Sequence, residues 1–418
     1  MSKFVTLAAL MRNERRSLRA LVELQRRKLQ RLVRHACQHV PLYTRLFREA
    51  GVQPGDIRTA ADLASLPVID KNLLRMQPLE DVIDSRRRGE LIERNTSGTS
   101  GSPFRFFVDP SFDNHCKAQY LRPYLSNGRT PFDRVLRFTS HSHERRSWFQ
   151  RLGLMRETSV GCGLPAGELL EALRRENADI LQGYPSVLAA LAARIDPGEP
   201  GFRRPRMVFT DSELLSMAQR RQIEESFGAP VFDVFGTFET DNIGHECSEH
   251  AGYHLAIDCV VAEVLRDGVT APPGETGSLV CTVLDNFAMP FIRYDLGDIV
   301  AFSSEACRCG RSLPLMSIVE GRRVDYAVLP DGSRQSPMQF LLAFDSISEL
   351  ALEYQVVQTA CDAFLVNLVP RRELAEADRT RIAGFIRAER PGARVTVQEV
   401  VDIAREASGK RRTFISQI

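Results

Sequence analysis

Hydrophobic positions at the start of the chain recur with the period of a helix. They fall at Leu18, Leu21, Val22, Leu29, Leu32 and Val33. This spacing predicts a long amphipathic helix. We expect the helix to end near His39, because Pro41 lacks the backbone N–H that a continuing helix needs. From about Gly51 to Arg94, helical patches alternate with turn signals.

The pattern changes after Arg134, where short apolar runs alternate with helical stretches. We predict strands at 134–138, 179–181, 207–210 and 231–235, and helices at 168–177, 185–195 and 214–227. This alternation is typical of α/β layers around a largely parallel sheet. Beyond Val260, apolar runs separated by Gly and Pro turns indicate a barrel-like or antiparallel subdomain. These predicted strands are 260–265, 277–283 and 299–302.

A domain boundary is predicted near Asp325. Beyond it we expect a small α+β unit with strands at 354–358, 364–369 and 394–400 and a helix at 373–390. Its length of about 90 residues lies within the usual domain range. The predicted fold class is therefore α/β. A large N-terminal domain, 1–324, would combine layered α/β with the barrel-like subdomain, and 325–418 would form a small C-terminal domain.

Composition excludes several classes of protein. Of the 418 residues, 43% are hydrophobic and 26% are charged, which is typical of a globular protein. No apolar run approaches the roughly 20 residues that span a bilayer. The N-terminus also lacks the apolar stretch and cleavage site of a signal peptide, so we expect a cytoplasmic protein. Nine cysteines are too sparse for a disulfide scaffold.

Charge gives one further hint. The net charge of +2 offers no reason to expect a nucleic-acid partner. Basic residues nevertheless cluster between Arg12 and Arg48, a segment that includes the predicted N-terminal helix. This cluster is either a solvated helix face or a surface for a membrane or an acidic partner, and the sequence leaves both open.

A segment rich in hydroxyls and glycines is the most informative part of the chain. It contains Thr96, Ser97, Gly98, Thr99, Ser100 and Gly101, and it continues into Ser102 and Pro103. It lies between an upstream helical region and the apolar run 104–108. Glycines let the backbone approach anionic oxygens, while hydroxyls and amides donate to phosphate. The Gly-Lys-Ser/Thr ending of a Walker loop is missing, so positive charge must come from a metal or a distant side chain. The alternative is a flexible Ser/Gly hairpin turn.

These residues resemble the phosphate-binding loop of the adenylate-forming superfamily, which includes acyl-CoA synthetases. The closer likeness is to the phenylacetate–CoA ligase-like branch and its relatives in capsular-polysaccharide clusters. The stretches 40–43 and 66–68 are similar to that branch as well. The resemblance covers nearly the whole chain, and it implies that 325–418 is a mobile lid.

A second motif, Phe235 to Glu239, resembles the aromatic-Gly-x-Thr-Glu segment of the family. By this resemblance Phe235, Gly236 and Thr237 would line the nucleotide site, with Phe235 stacked on adenine. Glu239 would hold the Mg²⁺ that bridges the ATP phosphates, because Mg²⁺ prefers hard oxygen ligands. Phe235 replaces the usual Tyr, and Phe238 stands where Thr is common. The alternative for Glu239 is a carboxylate at a helix N-cap.

Two further segments are similar to nucleotide-binding motifs of the family. Ser212, within 210–213, would lie near the adenine, although it is equally suited to cap the helix predicted at 214–227. Asp298 ends an Arg-Tyr-x-x-Gly-Asp motif and would accept hydrogen bonds from the ribose hydroxyls. The alternative for Asp298 is an Asp that closes a turn after Gly297.

The last motifs belong to the predicted hinge and lid. Arg322 would contact ribose and phosphate, and Asp325 would be the hinge residue, while Val324 replaces an acidic residue that the family often has. Lys410 would be the catalytic lysine that contacts the carboxylate and the α-phosphate. Lysine suits this role as a mobile point charge, although a lysine in a basic tail is usually only solvated.

Three cysteines and a histidine form a candidate zinc site. By the same resemblance we choose Cys247, His254, Cys307 and Cys309, and His250 is the rival imidazole. Three thiols and one imidazole would make a closed structural zinc site. The alternative is a loop of reduced cysteines without metal.

The resemblance implies an AMP-forming acid–thiol ligase of the acyl- or aryl-CoA type. It would activate a small-molecule carboxylic acid with ATP and Mg²⁺, release pyrophosphate, and pass the acyl group to coenzyme A. Two alternatives remain. One is a ligase that transfers to an amine, a sugar or a carrier-protein thiol, and the other is a catalytically silent interaction homologue. The presence of Glu239, Asp298 and Lys410 argues against the silent homologue. The sequence names neither the acid nor the oligomeric state.

Overall fold

The computed structural model describes most of the chain and divides it into two compact units. The described residues are 2–95, 104–139, 148–162, 164–196, 202–320, 327–330, 334–335, 344, 350–404 and 413–418. The first unit comprises Met1–Arg129 and Val234–Arg322, and the second comprises Thr130–Asp233 and Arg323–Ile418. Within the described ranges, no helix is both long and apolar enough to cross a membrane. The domain boundary inferred near residue 325 stays a prediction.

The regular elements follow the predicted alternation closely. The helices are α1 (Lys3–Asn13), α2 (Leu18–His39), α3 (Pro41–Glu49), α4 (Lys71–Arg75), α5 (Leu79–Val82), α6 (Pro110–Ser126), α7 (Trp148–Arg151), α8 (Ala166–Glu176), α9 (Pro185–Ala192), α10 (Met217–Phe227) and α11 (Glu376–Glu389). The strands are β1 (Ile92–Asn95), β2 (Arg105–Val108), β3 (Val135–Thr139), β4 (Glu157–Gly161), β5 (Ile180–Gly183), β6 (Met207–Asp211), β7 (Val231–Thr237), β8 (Asp241–His245), β9 (Tyr253–Leu255), β10 (Val260–Arg266), β11 (Val269–Thr270), β12 (Thr276–Val283), β13 (Tyr294–Phe302), β14 (Leu315–Glu320), β15 (Ala327–Val328), β16 (Arg334–Gln335), β17 (Ala351–Ala360), β18 (Ala363–Pro370), β19 (Arg394–Glu399) and β20 (Phe414–Ser416).

Helices α1 to α3 open the first unit. The Ser17 hydroxyl caps α2 by accepting from Ala20 N, and α2 ends at His39 as predicted, because Pro41 starts a new helix. The inward face of α2 supplies Leu29, Leu32 and other fully buried residues to a core that also contains Phe291. Burying side chains of this size stabilises the unit by about 1.5–3 kcal/mol each.

The first unit also contains an antiparallel sheet. Its strand order is β11-β10-β12-β13-β14-β9-β8, followed by the last residues of β7. Each of these neighbours pairs antiparallel, so the antiparallel alternative for this region is confirmed. A separate hairpin pairs β1 with β2 antiparallel, with Asn95 opposite Arg105.

Two larger sheets of different type lie among the described residues of the second unit, beside a short pairing of β15 with β16. Strands β4-β3-β5-β6 are parallel neighbours, as predicted, and they share an apolar core with α8, α9 and α10. Parallel strands joined by helices are the α/β arrangement expected from the alternating pattern. The other sheet has the order β19-β18-β17-β20 and packs on α11 around a core that includes Phe344 and Ile382. This second part is α+β, again as predicted.

Two local predictions are wrong. A strand, β1, directly precedes residue 96, where we expected a helical region, because its residues gain backbone pairing with β2. Helix α10 begins at Met217, and its N-cap is Ser216 instead of Ser212. Ser216 and Gln219 form a reciprocal capping box, with hydrogen bonds of 3.1 and 3.2 Å, which satisfies two N-terminal donors at once.

Candidate functional site

Glu239 lies in the turn between β7 and β8, at the centre of a buried polar cluster. Only 3% of its surface is exposed. The Tyr294 hydroxyl donates to Glu239 Oε1 at 3.1 Å, and the Lys71 ammonium lies 3.1 Å from the same oxygen. A buried carboxylate is stable only with such partners, so these two groups fix its position. Since no helix begins here, the helix N-cap alternative for Glu239 is wrong.

The fold of the first unit brings Lys71 to this carboxylate. The backbone of Ile69 forms a parallel bridge with Tyr294, with hydrogen bonds of 2.9 Å to Arg293 O and 2.8 Å from Asp295 N. Asp70 then caps α4 by accepting from Leu73 N at 2.7 Å, so Lys71 is the first residue of that helix. The bridge therefore delivers Lys71 and Tyr294 together.

Lys71 also lies close to the chain that follows the predicted phosphate loop. Its Nζ is 5.7 Å from the ring centroid of Phe104, which is the first described residue after 96–103. A cation over an aromatic face is attracted by the ring quadrupole. One ammonium group thus contacts both Glu239 and the residue next to that loop.

The hairpin of β7 and β8 requires a glycine. A Cβ at Gly236 would lie 2.2 Å from Asp241 O, which is far inside van der Waals contact. Thr237 and Thr240 close the turn with a hydroxyl contact of 3.0 Å. Phe235 packs edge-on against Tyr253 with a centroid distance of 6.3 Å. The predicted motif residues therefore hold a tight turn that carries Glu239.

Asp298 lies inside β13 and not in a turn, so the turn alternative for this residue is wrong. It is 7% exposed. The nearby Arg293 has a φ of +53°, and its guanidinium lies 3.0 Å from buried Glu263. This pair fixes the start of the strand that carries both Tyr294 and Asp298.

A second polar cluster lies between strand β1 and the turn that holds Glu239. Arg94, near the end of β1, donates to Asp113 at 2.7 Å and lies close to the thiol of Cys116. That thiol also lies close to the carboxyl of Asp241, just beyond the Glu239 turn. Burial raises the pKa of the Asp241 carboxyl and the pKa of the Cys116 thiol. The strand before residue 96 is thereby linked to the turn that holds Glu239.

Several predicted site residues lie outside the described residues. These are Thr96, Ser97, Gly98, Thr99, Ser100, Gly101, Arg322, Asp325 and Lys410. Ser212 is exposed in the second unit with a φ of +69°, and its place near adenine stays a prediction. The sequence analysis did not predict that Lys71 and Tyr294 contact Glu239. Tyr294 stands within the quoted Arg-Tyr-x-x-Gly-Asp motif, whereas nothing in the local sequence singles out Lys71.

The four predicted metal ligands come together at a separate place in the first unit. Cys247 follows β8, His254 lies in β9, and Cys307 and Cys309 lie between β13 and β14. Their ligand atoms all lie within 4.8 Å of one another. Among the described residues, this group contains His254 and not the rival His250, whose Nδ1 lies 3.5 Å from Glu246 instead.

Two of the separations between ligand atoms are close to those of a tetrahedral zinc site. Tetrahedral ligands at ordinary zinc bond lengths are about 3.5–3.8 Å apart. Cys247 Sγ lies 3.6 Å from Cys307 Sγ, and Cys309 Sγ lies 3.3 Å from His254 Nε2. The sulfur separation is far longer than the roughly 2.05 Å of a disulfide. Burial lowers the pKa of His254, which favours the neutral imidazole that binds metals.

Comparison with known proteins gives sequence relatives over most of the chain. No protein-family model matches. A phenylacetate–coenzyme A ligase of Thermus thermophilus is 28% identical over 374 residues, which cover 82% of this chain and 78% of the relative. The protein CapK of Staphylococcus aureus is 22% identical over 383 residues, which cover 88% of this chain and 82% of CapK. The predicted resemblance to the phenylacetate–CoA ligase-like branch is confirmed.

A solved structure shares the fold. The 2-hydroxyisobutyryl-CoA ligase in the postadenylation state, in complex with R3-HIB-AMP, aligns with a TM-score of 0.80 at 22% identity. The alignment covers 97% of this chain and 91% of that protein. The predicted α/β fold class is therefore confirmed.

Proposed function

We propose that this chain, a member of the adenylate-forming superfamily related to phenylacetate–CoA ligases, activates a carboxylic acid with ATP and transfers it to coenzyme A. In the first step a carboxylate oxygen attacks the α-phosphorus of ATP, and the bond to the departing pyrophosphate breaks. In the second step the thiol of coenzyme A attacks the acyl carbonyl and AMP leaves. No general base is needed in the first step, because a carboxylic acid is ionised at neutral pH.

The buried Glu239 carboxylate carries this proposal. It is held at 3.1 Å by both Lys71 and Tyr294 on a hairpin that tolerates only glycine at position 236. A pre-positioned charge of this kind is what phosphoryl chemistry uses, because catalysis there depends on positioning and electrostatics. We assign Glu239 to hold Mg²⁺ with the ATP phosphates, since carboxylate oxygens are its preferred protein ligands. Bound Mg²⁺ would neutralise phosphate charge.

The remaining roles complete the proposed nucleotide site. Phe235, Gly236 and Thr237 would line it on the β7 side, with Phe235 against the adenine. Asp298 would accept hydrogen bonds from the ribose hydroxyls, and its burial at 7% exposure suits a directed acceptor. Outside the described residues, the loop 96–101 and Arg322 would bind phosphates, Asp325 would act as the hinge, and Lys410 would stabilise charge on the α-phosphate.

We further propose that Cys247, His254, Cys307 and Cys309 bind a structural Zn²⁺ ion. The donor set and the 3.3 and 3.6 Å separations support this assignment. With four protein ligands, a bound Zn²⁺ ion would have no open coordination position for a substrate. Bound zinc would cross-link the loop after β8 to the loop between β13 and β14.

Pyrophosphate release tests the proposed activity. Purified protein is given ATP, Mg²⁺ and a panel of aryl and fatty acids, with and without coenzyme A. We expect release that requires an acid, and acyl-CoA formation when coenzyme A is present. Lys410→Ala should abolish most of the release, whereas Arg412→Ala, which also removes a positive charge from the tail, should retain it.

Each outcome has a distinct meaning. Acid-dependent pyrophosphate release without acyl-CoA formation would support the adenylation step and indicate a different acyl acceptor. No release with any acid, together with no binding of ATP or AMP in calorimetry, would refute the enzymatic proposal. Equal release by Lys410→Ala and the native protein would refute the role of Lys410 alone.

A further inference from the structure

The loop that carries two of the four candidate zinc ligands is tied to the end of helix α1. Arg311 lies two residues beyond Cys309 and is mostly buried, with 16% of its side chain exposed. Its Nε donates to Glu14 Oε2 at 3.0 Å, and its Nη2 donates to Ser126 O at 2.5 Å. The backbone N–H of Ser312 also donates to Glu14 O at 3.4 Å. Glu14 therefore holds this loop through its side chain and its backbone.

Arg311 also lies beside the metal site. Its side chain and its backbone N–H are close enough to the sulfur of Cys309 to interact with it. One guanidinium thus bridges a candidate zinc ligand and the carboxylate of Glu14. Such a bridge is the arrangement expected of a group that orients a metal ligand from outside the coordination shell.

Glu14 is itself part of a buried network that fixes α1. Arg122 Nε donates to Glu14 Oε1 at 2.9 Å, and Arg122 Nη1 donates to Asp258 at 2.9 Å. Asn13, the last residue of α1, donates to the other oxygen of Asp258 at 2.8 Å. The Ser126 hydroxyl adds a further hydrogen bond to Glu14 at 2.6 Å. The C-terminal end of α1 is thereby anchored to the same residue that holds Arg311.

The charges alternate along this path. A zinc ion with three thiolates and a neutral imidazole carries a net charge of −1. Arg311 places a positive charge beside it, Glu14 a negative charge beyond, and Arg122 a positive charge after that. In a poorly solvated interior each charge is stabilised by its neighbours, so removing one weakens the hold on the next.

We propose that Arg311 is a positioning residue for the zinc centre and that, through Glu14, it couples zinc retention to the docking of helix α1. This inference rests on the proposed structural zinc site and is independent of the proposed ligase activity. Zinc loss would free the loop that carries Cys307 and Cys309 from its cross-link, loosen the contact of Arg311 with Glu14, and release the end of α1.

A competition assay with a chromogenic zinc chelator tests the first part. Arg311→Gln is expected to bind zinc about 10–100-fold more weakly than the native protein, the usual effect of losing such a group. Arg308→Gln is the matched control, because it removes an exposed arginine from the same loop, between the two cysteines. Circular dichroism confirms that both variants are folded. Equal zinc affinity of Arg311→Gln and Arg308→Gln would overturn the proposal.

Hydrogen exchange tests the coupling to α1. Amides of residues 3–13 should exchange faster after zinc is removed from the native protein, and Arg311→Gln should show faster exchange even with zinc bound. Unchanged exchange in α1 upon zinc removal would overturn the coupling. Native protein that takes up no zinc would overturn both the metal site and this inference, while pyrophosphate release, measured on the same sample, would report separately on the ligase proposal.

Discussion

Replacing Tyr294 by phenylalanine tests whether the hydroxyl that donates to Glu239 supports the activity. The ring is 1% exposed and packs against Phe291 with a centroid distance of 5.0 Å. Tyr294→Phe keeps this packing and removes the hydroxyl that donates to Glu239 Oε1 at 3.1 Å. The carboxylate would keep Lys71 and would be free to turn toward it.

The expected size follows from the chemistry of that bond. A hydrogen bond to a charged group contributes about 1.5–3 kcal/mol. If that energy holds Glu239 in the geometry needed for Mg²⁺ and ATP, its loss should slow acid-dependent pyrophosphate release by about 10- to 150-fold, since about 1.4 kcal/mol corresponds to tenfold. The loss should appear in kcat/KM for ATP at saturating acid.

Tyr43→Phe provides the matched control. Tyr43 is also buried in the first unit, and its hydroxyl donates to Pro290 O at 2.7 Å and accepts from Ile292 N at 3.0 Å. Its removal should lower the free energy of unfolding at least as much as Tyr294→Phe does, yet slow pyrophosphate release much less. The reasoning is refuted if Tyr294→Phe retains the native rate or if both variants lose activity equally.

Three further predictions follow from the packing and charges of the first unit. Gly236→Ala should lower the melting temperature and abolish ATP binding in calorimetry, because its Cβ would press into Asp241 O at 2.2 Å; native-like ATP binding would contradict this. Arg122→Met should lower the free energy of unfolding at pH 7 by about 3–5 kcal/mol in urea melts, because buried Asp258 loses its guanidinium partner and buried Glu14 keeps only Arg311; a loss no larger than that caused by replacing an exposed arginine would count against it. Cys247→Ser should reduce zinc content per chain and lower the melting temperature, whereas Cys37→Ser, outside the metal group, should change neither.

The buried guanidinium of Arg122 also predicts that the stability of the fold depends on pH. Burial by itself would raise the pKa of Glu14 and of Asp258, but the charge and hydrogen bonds of Arg122 outweigh it and hold both pKa values below their usual range. The folded state therefore binds these protons less readily than the unfolded chain. This contribution to stability is present above about pH 4 and is lost as the pH falls through the lowered pKa values. In Arg122→Met, thermal melts should show a smaller contribution of this kind, because the largest cause of the lowered pKa values is gone.

Local features of the fold could be predicted because their causes are local. Pro41 ends α2 through its own missing N–H, and the change from strand–helix alternation to consecutive strands distinguishes the parallel from the antiparallel region. The error at β1 has the opposite origin, since its extended form depends on pairing with β2. The misplaced N-cap at Ser212 arose because two serines compete at the start of α10, and only Ser216 has Gln219 in register for a reciprocal box.

The sequence by itself determined the order of the motifs, the hydroxyl- and glycine-rich loop, and the cysteines and histidines available for zinc. Only the tertiary structure decided that His254 and not His250 joins the cysteines, that Lys71 and Tyr294 enclose Glu239, and that Arg311 reaches Glu14. The physical reason is distance along the chain. Caps, turns and periodicity act between neighbours, whereas a buried charge finds its partners only where strands and helices from distant segments pack together.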